Sequence, residues 1–193
     1  MSEQVVQHIQ ELTGASFSEL AFFLQQFSAR NCSKKSQLLR AGQVANEVYF
    51  VLTGCLRLYY VKEGVDISGY FFTENMFAGA YDSFISRKPS THSIEVLEDA
   101  TLLAISYDQL QKLYVEYPRM NEFVRKIIEQ RFIAIHELLT SQILDSPEER
   151  YSNLLKNHPS LLMRIPQHHL ATFLGVTPVS LSRIRSRVSK RGS

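Results

Sequence analysis

Only two cysteines, Cys32 and Cys55, occur in the 193 residues. They form no CxxC pair and are too few for an iron–sulfur cluster held by cysteine alone, so they read as reduced thiols of a cytoplasmic protein. No stretch approaches the ~18 uninterrupted apolar residues of a membrane span. The opening Met-Ser-Glu-Gln-Val-Val-Gln-His lacks the basic start of a secretion signal. There is no repeat and no low-complexity segment. Histidine is nearly missing where strand-like runs are densest: between residues 36 and 106 only His92 occurs. A cupin-like small-molecule enzyme needs a His/Glu cluster on neighbouring strands. The sequence therefore offers no catalytic residue and no metal ligand, and an enzyme stays a rival reading only.

What is present is ordinary in amount and unusual in placement. A 45% hydrophobic and 21% charged composition is that of a globular chain. The net charge of +2 hides a separation. Residues 146–193 hold eight Lys and Arg against two Glu, +6, which leaves 13 bases and 17 acids, −4, in residues 1–145. A basic end on an acidic body is the electrostatic footprint of nucleic-acid binding.

Within that basic end, Pro166 can open a short helix with Leu170, Ala171, Phe173 and Leu174 at helical spacing. Gly175 follows where a left-handed residue ends a helix. Thr177 is then an N-cap with Pro178 at N1, and Leu181, Ile184 and Val188 point inward from a second helix. Two short helices joined by a tight glycine turn form a helix-turn-helix. Thr177, Val179, Ser180, Ser182, Arg183, Ser186, Arg187 and Lys190 face outward as a polar and basic strip suited to a DNA major groove. Lys190, Arg191, Arg164 and Arg187 are expected to attract phosphates, with His168 and His169 on the helix surface nearby.

Upstream, residues 4–30 read as helical, with Val5, Ile9 and Leu12 before Gly14 and Phe17, Leu20, Phe23, Leu24 and Phe27 after it. Ser16 or Ser18 can cap the second segment. The period then changes. Leu38–Gly42, Glu47–Gly54, Cys55–Val61, Ile67–Phe72, Thr91–Val96 and Ala100–Ser106 are short β-branched or aromatic runs between turn signals, which predict a sandwich or barrel. Met76–Ser90 interrupts them with a small-residue turn and a short helix, Tyr81–Ser86.

A helical pattern resumes at Asp108, and Pro118 opens a long helix through about Leu144. It carries two apolar stripes: Met120, Val124, Ile127, Ala134 and Leu138, then Phe123, Ile128, Phe132, Ile135, Leu139 and Ile143. One predicts packing on the β domain, the other a partner helix. Arg131 falls in the first stripe and is expected to reach solvent or a carboxylate. Ser146, Pro147 and Glu149 spell a capping box, and the boundary falls there. The chain is thus α+β: an antiparallel β-roll or jelly-roll domain (1–116), a long connecting and dimerisation helix (117–145), and an all-α helix-turn-helix domain (146–193).

This arrangement resembles the cyclic-AMP receptor protein/FNR (Crp/Fnr) family of transcription regulators. The resemblance rests on Gly42, Gly54 and Gly64, on Val48-Tyr49-Phe50-Val51-Leu52-Thr53-Gly54, and on Leu-Gly-Val-Thr-Pro-Val-Ser-Leu-Ser-Arg-Ile from Leu174. It implies a cyclic-nucleotide-binding-like β domain, a homodimer through 117–145, double-stranded DNA with a roughly palindromic operator, and RNA polymerase as a further partner. Arg183 sits at the family's base-reading position, where a guanine contact is expected; Val179 can touch a thymine methyl. Members that bind cyclic AMP carry Phe-Gly-Glu-Leu, whose Glu meets the ribose, and a phosphate-pairing Arg about ten residues on. Here the cassette reads Phe77-Ala78-Gly79-Ala80-Tyr81, followed by Ser90-Thr91-His92, without that Glu or Arg. Losing both contacts costs several kcal/mol. These eight residues are therefore expected to line a pocket for a small-molecule or nucleotide effector other than cyclic AMP, or for none. The sequence stops at Ser193, with no room for the strands of a wing. A ligand-sensing module acting through protein contacts is the remaining alternative.

Overall fold

The computed structural model describes Gln7, Gln10 and residues 14–191. Val5, Ile9 and Leu12, expected to open the first helix, lie outside the described residues. Ser16 caps helix α1 (Phe17–Gln25) in a capping box with Glu19, and Leu20, Phe23 and Leu24 are buried along one side. The helix ends earlier than expected. Ser28–Cys32 is strand β1, the outermost of its sheet, and exposed on most of its length. A strand wetted on both faces shows no apolar alternation, so Ser-Ala-Arg-Asn-Cys carried no strand signal.

The remaining strands are β2 (Gln37–Leu39), β3 (Glu47–Thr53), β4 (Leu56–Lys62), β5 (Val65–Phe72), β6 (Phe77–Ala78), β7 (Ser93–Val96) and β8 (Ala100–Ser106), with helix α2 (Tyr81–Ser86) after β6. They form two antiparallel four-stranded sheets, β1-β8-β3-β6 and β2-β7-β4-β5. That order is a jelly roll. Phe50 lies opposite Leu103, and Leu56 opposite Val96 on one side and Phe72 on the other. Phe50, Leu56, Phe72, Ile94 and Leu102 fill the space between the sheets.

Two turns explain the glycine spacing. Glu63 and Gly64 have φ of 54° and 77° between β4 and β5, the paired left-handed geometry of a two-residue hairpin. Gly54 has φ 104°, and a Cβ there would lie 2.5 Å from that of Ala100. Only glycine fits.

Helix α3 (Tyr107–Glu116) leads into α4 (Arg119–Leu144). Met120, Phe123 and Val124 of α4 are buried against the jelly roll. The first stripe stays close to the protomer through half-buried Ile127, Ala134 and Leu138. The second leaves it after Ile128: Phe132 is 70% and Ile143 71% exposed, with Ile135 and Leu139 between them. Arg131 reaches neither open solvent nor a carboxylate. Its guanidinium lies 3.8 Å from the ring centre of Tyr70 and 4.8 Å from that of Phe72, since an aromatic face can take the place of an anion.

Beyond Asp145 come α5 (Pro147–Asn157), α6 (Pro159–Arg164), α7 (Gln167–Phe173) and α8 (Pro178–Arg191). The capping box of Ser146 and Glu149 is present, with Pro147 at the first turn. No helix among the described residues is long and apolar enough to cross a membrane.

Candidate nucleic-acid interface and effector pocket

The turn between α7 and α8 is built from the backbone outward. Gly175, at φ 69°, donates to Thr172 O (3.1 Å), and Val176 N donates to Ala171 O (2.9 Å). This paired closure satisfies the last carbonyls of α7. Arg150 donates to Leu174 O (2.8 Å) and Asp145 O (2.6 Å), locking the turn to the start of the domain. Thr177 Oγ1 accepts from Ser180 N (3.2 Å) and so caps α8. Ala171 and Leu181 are fully buried where the helices cross, with Leu170, Leu174 and Ile184 beside them.

The other face of α8 is open. Val179 is 62% exposed, and Thr177, Ser182, Arg183, Ser186, Arg187 and Lys190 are exposed with it. Ser180 is half-buried and its hydroxyl bonds that of Thr177 (3.0 Å), so it serves the cap. Arg183 has no carboxylate partner among the described residues, whereas Arg187 lies 3.3 Å from Glu148 across a wet surface. The side chain of Arg191 lies outside the described residues.

Two residues expected near phosphates are elsewhere. Arg164 forks onto both oxygens of Glu74 (2.8 Å each) and also pairs with Glu98, tying α6 to the jelly roll. Burial pushes the Glu74 carboxyl up, but Arg164 and the Gly54 N–H outweigh it and hold it below its ordinary value. His169 faces inward. Arg57, only 1% exposed, donates to its Nδ1 (2.5 Å) while holding Glu95 (2.6 Å) and Asp66 (3.1 Å). Thr172 bonds Ser68, and Phe173 stacks edge-on against Phe71. The helix-turn-helix is thus docked on β5 through α7, leaving α8 outward. These partners lie about a hundred residues apart, and no local pattern announces them.

Burial first, and the Arg57 charge second, push His169 down to about 4. It is neutral when docked, while its unfolded value is about 6.5. The unfolded chain therefore takes the proton first, and stability is complete above about pH 6.5 and declines as pH falls towards 4. Urea midpoints of the native protein and His169→Gln should converge over that window. Parallel decline of the two would remove His169 from the account.

A cavity of about 350 Å³ lies between the jelly roll and α4. Phe77, Ala78, Gly79 and Tyr81 line it, together with Phe23, Phe27, Tyr70, Phe72, Ile127 and Arg131, which sequence reasoning missed. The charge inside an apolar stripe was the one available signal. Ala80 instead borders a separate cleft with Leu39 and Ile94. Ser90, Thr91 and His92 also fall outside the cavity. The Ser90 hydroxyl donates to His92 O (2.8 Å), Thr91 faces solvent, and His92 is 5% exposed. Neither ring nitrogen of His92 has a hydrogen-bond partner among the described residues. Asp82 lies 3.9 Å away, and burial lowers the imidazole pKa. Arg87 donates to Ala45 O (2.7 Å) and Asn46 Oδ1 (2.5 Å) and stacks on Tyr107, so it is a structural cation. Among the described residues, no group of three His, Cys, Asp or Glu is placed to hold a metal.

A jelly roll, a long helix and a helix-turn-helix follow one another along the chain. Residues 29–117 match the family model of the cyclic nucleotide-binding domain. The chain is similar in structure to the c-di-GMP responsive global regulator CLP of Xanthomonas campestris (TM-score 0.72, 17% identity, 92% of this chain and 93% of that one). CooA carrying two substitutions, from Carboxydothermus hydrogenoformans, gives 0.70 at 18% identity over 95% and 85%. The catabolite activator protein of Thermus thermophilus gives 0.59 at 20% identity over 93% and 86%. No curated protein matches the chain.

Proposed function

We propose that this chain is a cytoplasmic, homodimeric, sequence-specific DNA-binding transcription regulator, not an enzyme, responsive to a small-molecule effector under α4. The observation that carries the reading is the exposed strip of α8: Arg183, with no carboxylate partner among the described residues, stands in the middle of a polar, basic face while Leu181 and Ile184 anchor the same helix behind it. A partner protomer on the exposed stripe of α4 would supply a second such helix, as a two-fold operator requires. RNA polymerase is the protein partner such a regulator would meet.

Arg183→Ala should cost about 1–3 kcal/mol on the preferred duplex and little on random DNA. Selection of that duplex from a random library, followed by titration of both, measures it; equal losses on the two would withdraw the assigned role. Salt separates DNA binding from an adaptor acting through protein contacts, because phosphate binding weakens steeply as salt rises.

A further inference from the structure

The cavity under α4 holds one cation in a mostly apolar wall. Phe23, Phe27, Phe72, Phe77, Val48 and Ile127 form most of its surface. Arg131 enters from α4 and is half-buried, its guanidinium lying against the rings of Tyr70 and Phe72. No carboxylate among the described residues pairs with it. Ring stacking uses the faces of a guanidinium and leaves its N–H groups in the plane, where the Tyr70 hydroxyl takes one hydrogen bond and no acid takes the others. A fork held in an apolar cavity without an acid lacks its natural counterpart, a planar carboxylate bound through two parallel N–H···O contacts.

Resting on the reading of this cavity as the effector site, we propose that it binds an organic monocarboxylate with an apolar body, a medium-chain alkanoate or arylalkanoate, whose carboxylate forks onto Arg131. The volume of about 350 Å³ stands near the lower end of the roughly 300–1,000 Å³ common for small-molecule sites. A nucleotide fits the chemistry poorly. Arg131 is the only cation in the lining, Asn75, Gln130, Tyr70 and Tyr81 are the remaining polar side chains, and Arg87 is committed elsewhere. Burial holds the Arg131 pKa below its ordinary value, with the Tyr70 hydroxyl opposing; an incoming carboxylate relieves that cost. Arg131 is followed at once by Phe132, where the exposed stripe of α4 begins. A ligand that draws Arg131 inward therefore acts on the helix that would carry the dimer seam, through its differing affinity for two arrangements of that helix.

Calorimetric titration of the full-length protein with decanoate (below its micellar range), 1-decanol and cyclic AMP tests this. Decanoate should saturate at one per chain, with decanol at least tenfold weaker and cyclic AMP weaker than decanoate. Arg131→Gln should weaken decanoate at least tenfold, and Ala134→Phe, which intrudes on the same cavity, should block it with the cation intact. Absence of saturable decanoate binding, equal binding of acid and alcohol, tighter binding of cyclic AMP, or full decanoate affinity in Arg131→Gln would each overturn the proposal. The comparison of acid and alcohol needs no variant and decides alone if either substitution prevents folding. Random-duplex binding measured on the same samples keeps the two readings apart. Lost DNA binding with decanoate retained overturns the DNA reading, and the reverse pattern overturns the ligand.

Discussion

Replacing Arg57 with methionine should lower the free energy of unfolding by about 3–5 kcal/mol, the cost of removing one partner from a buried ion pair. Arg57 is enclosed on every side. Its Nε meets Glu95, its two Nη atoms reach Asp66, Ser68 and His169, and its guanidinium lies 4.2 Å from the ring centre of Tyr59. Methionine fills similar space but leaves Glu95, whose side chain is 16% exposed, without its counter-charge. Asp66, 48% exposed, can turn to water, so Glu95 carries most of the penalty. Adding Glu95→Gln to the Arg57 variant should therefore recover a good part of the loss. Urea unfolding followed by circular dichroism measures both steps. The same change frees His169 and should raise hydrogen exchange along α7 by more than the global loss, while exchange in β3 and β8 rises only by the amount set by global unfolding. A loss below 1 kcal/mol would mean that the cluster contributes packing and not charge.

The second large effect concerns assembly. Phe132, Ile135, Leu139 and Ile143 recur three and four residues apart on α4 and stand in water in the isolated chain. In the proposed dimer these four large apolar side chains would form the seam of a two-helix interface, and each would contribute about 1.5–3 kcal/mol once buried. Ile135→Asp sets a carboxylate into that seam twice per dimer. The expected weakening is about 4 kcal/mol, or roughly a thousandfold in the dissociation constant. Sedimentation velocity over a concentration series reads it directly. Operator affinity should fall in step, since a single recognition helix holds half a site, whereas decanoate should still enter the cavity from its own protomer. A native protein that sediments as a monomer at high concentration would end the two-helix account.

Residues close together in the chain specify much of this molecule on their own. Ser146 with Glu149, Gly175 in its left-handed turn and Thr177 before Pro178 each satisfy backbone groups within four residues of themselves, so their chemistry is readable without a fold. Tyr81–Ser86 and Ala100–Ser106 begin and end where the sequence places them. Two stripes on α4 likewise follow from helical period alone. Pairings across long separations were not readable. Arg164 is an exposed phosphate contact or an internal clamp depending on whether Glu74 and Glu98, 90 and 66 residues away, are brought beside it. His169 faces DNA or Arg57 by the same contingency. Arg131 found aromatic faces, and Ser90, Thr91 and His92 parted from the cavity their neighbours line, because sheet register and the path of α4 choose which side of a strand meets which helix. Local hydrogen bonding and hydrophobic period fixed the elements and their caps; only the packing of one element on another decided where each charge would find its partner.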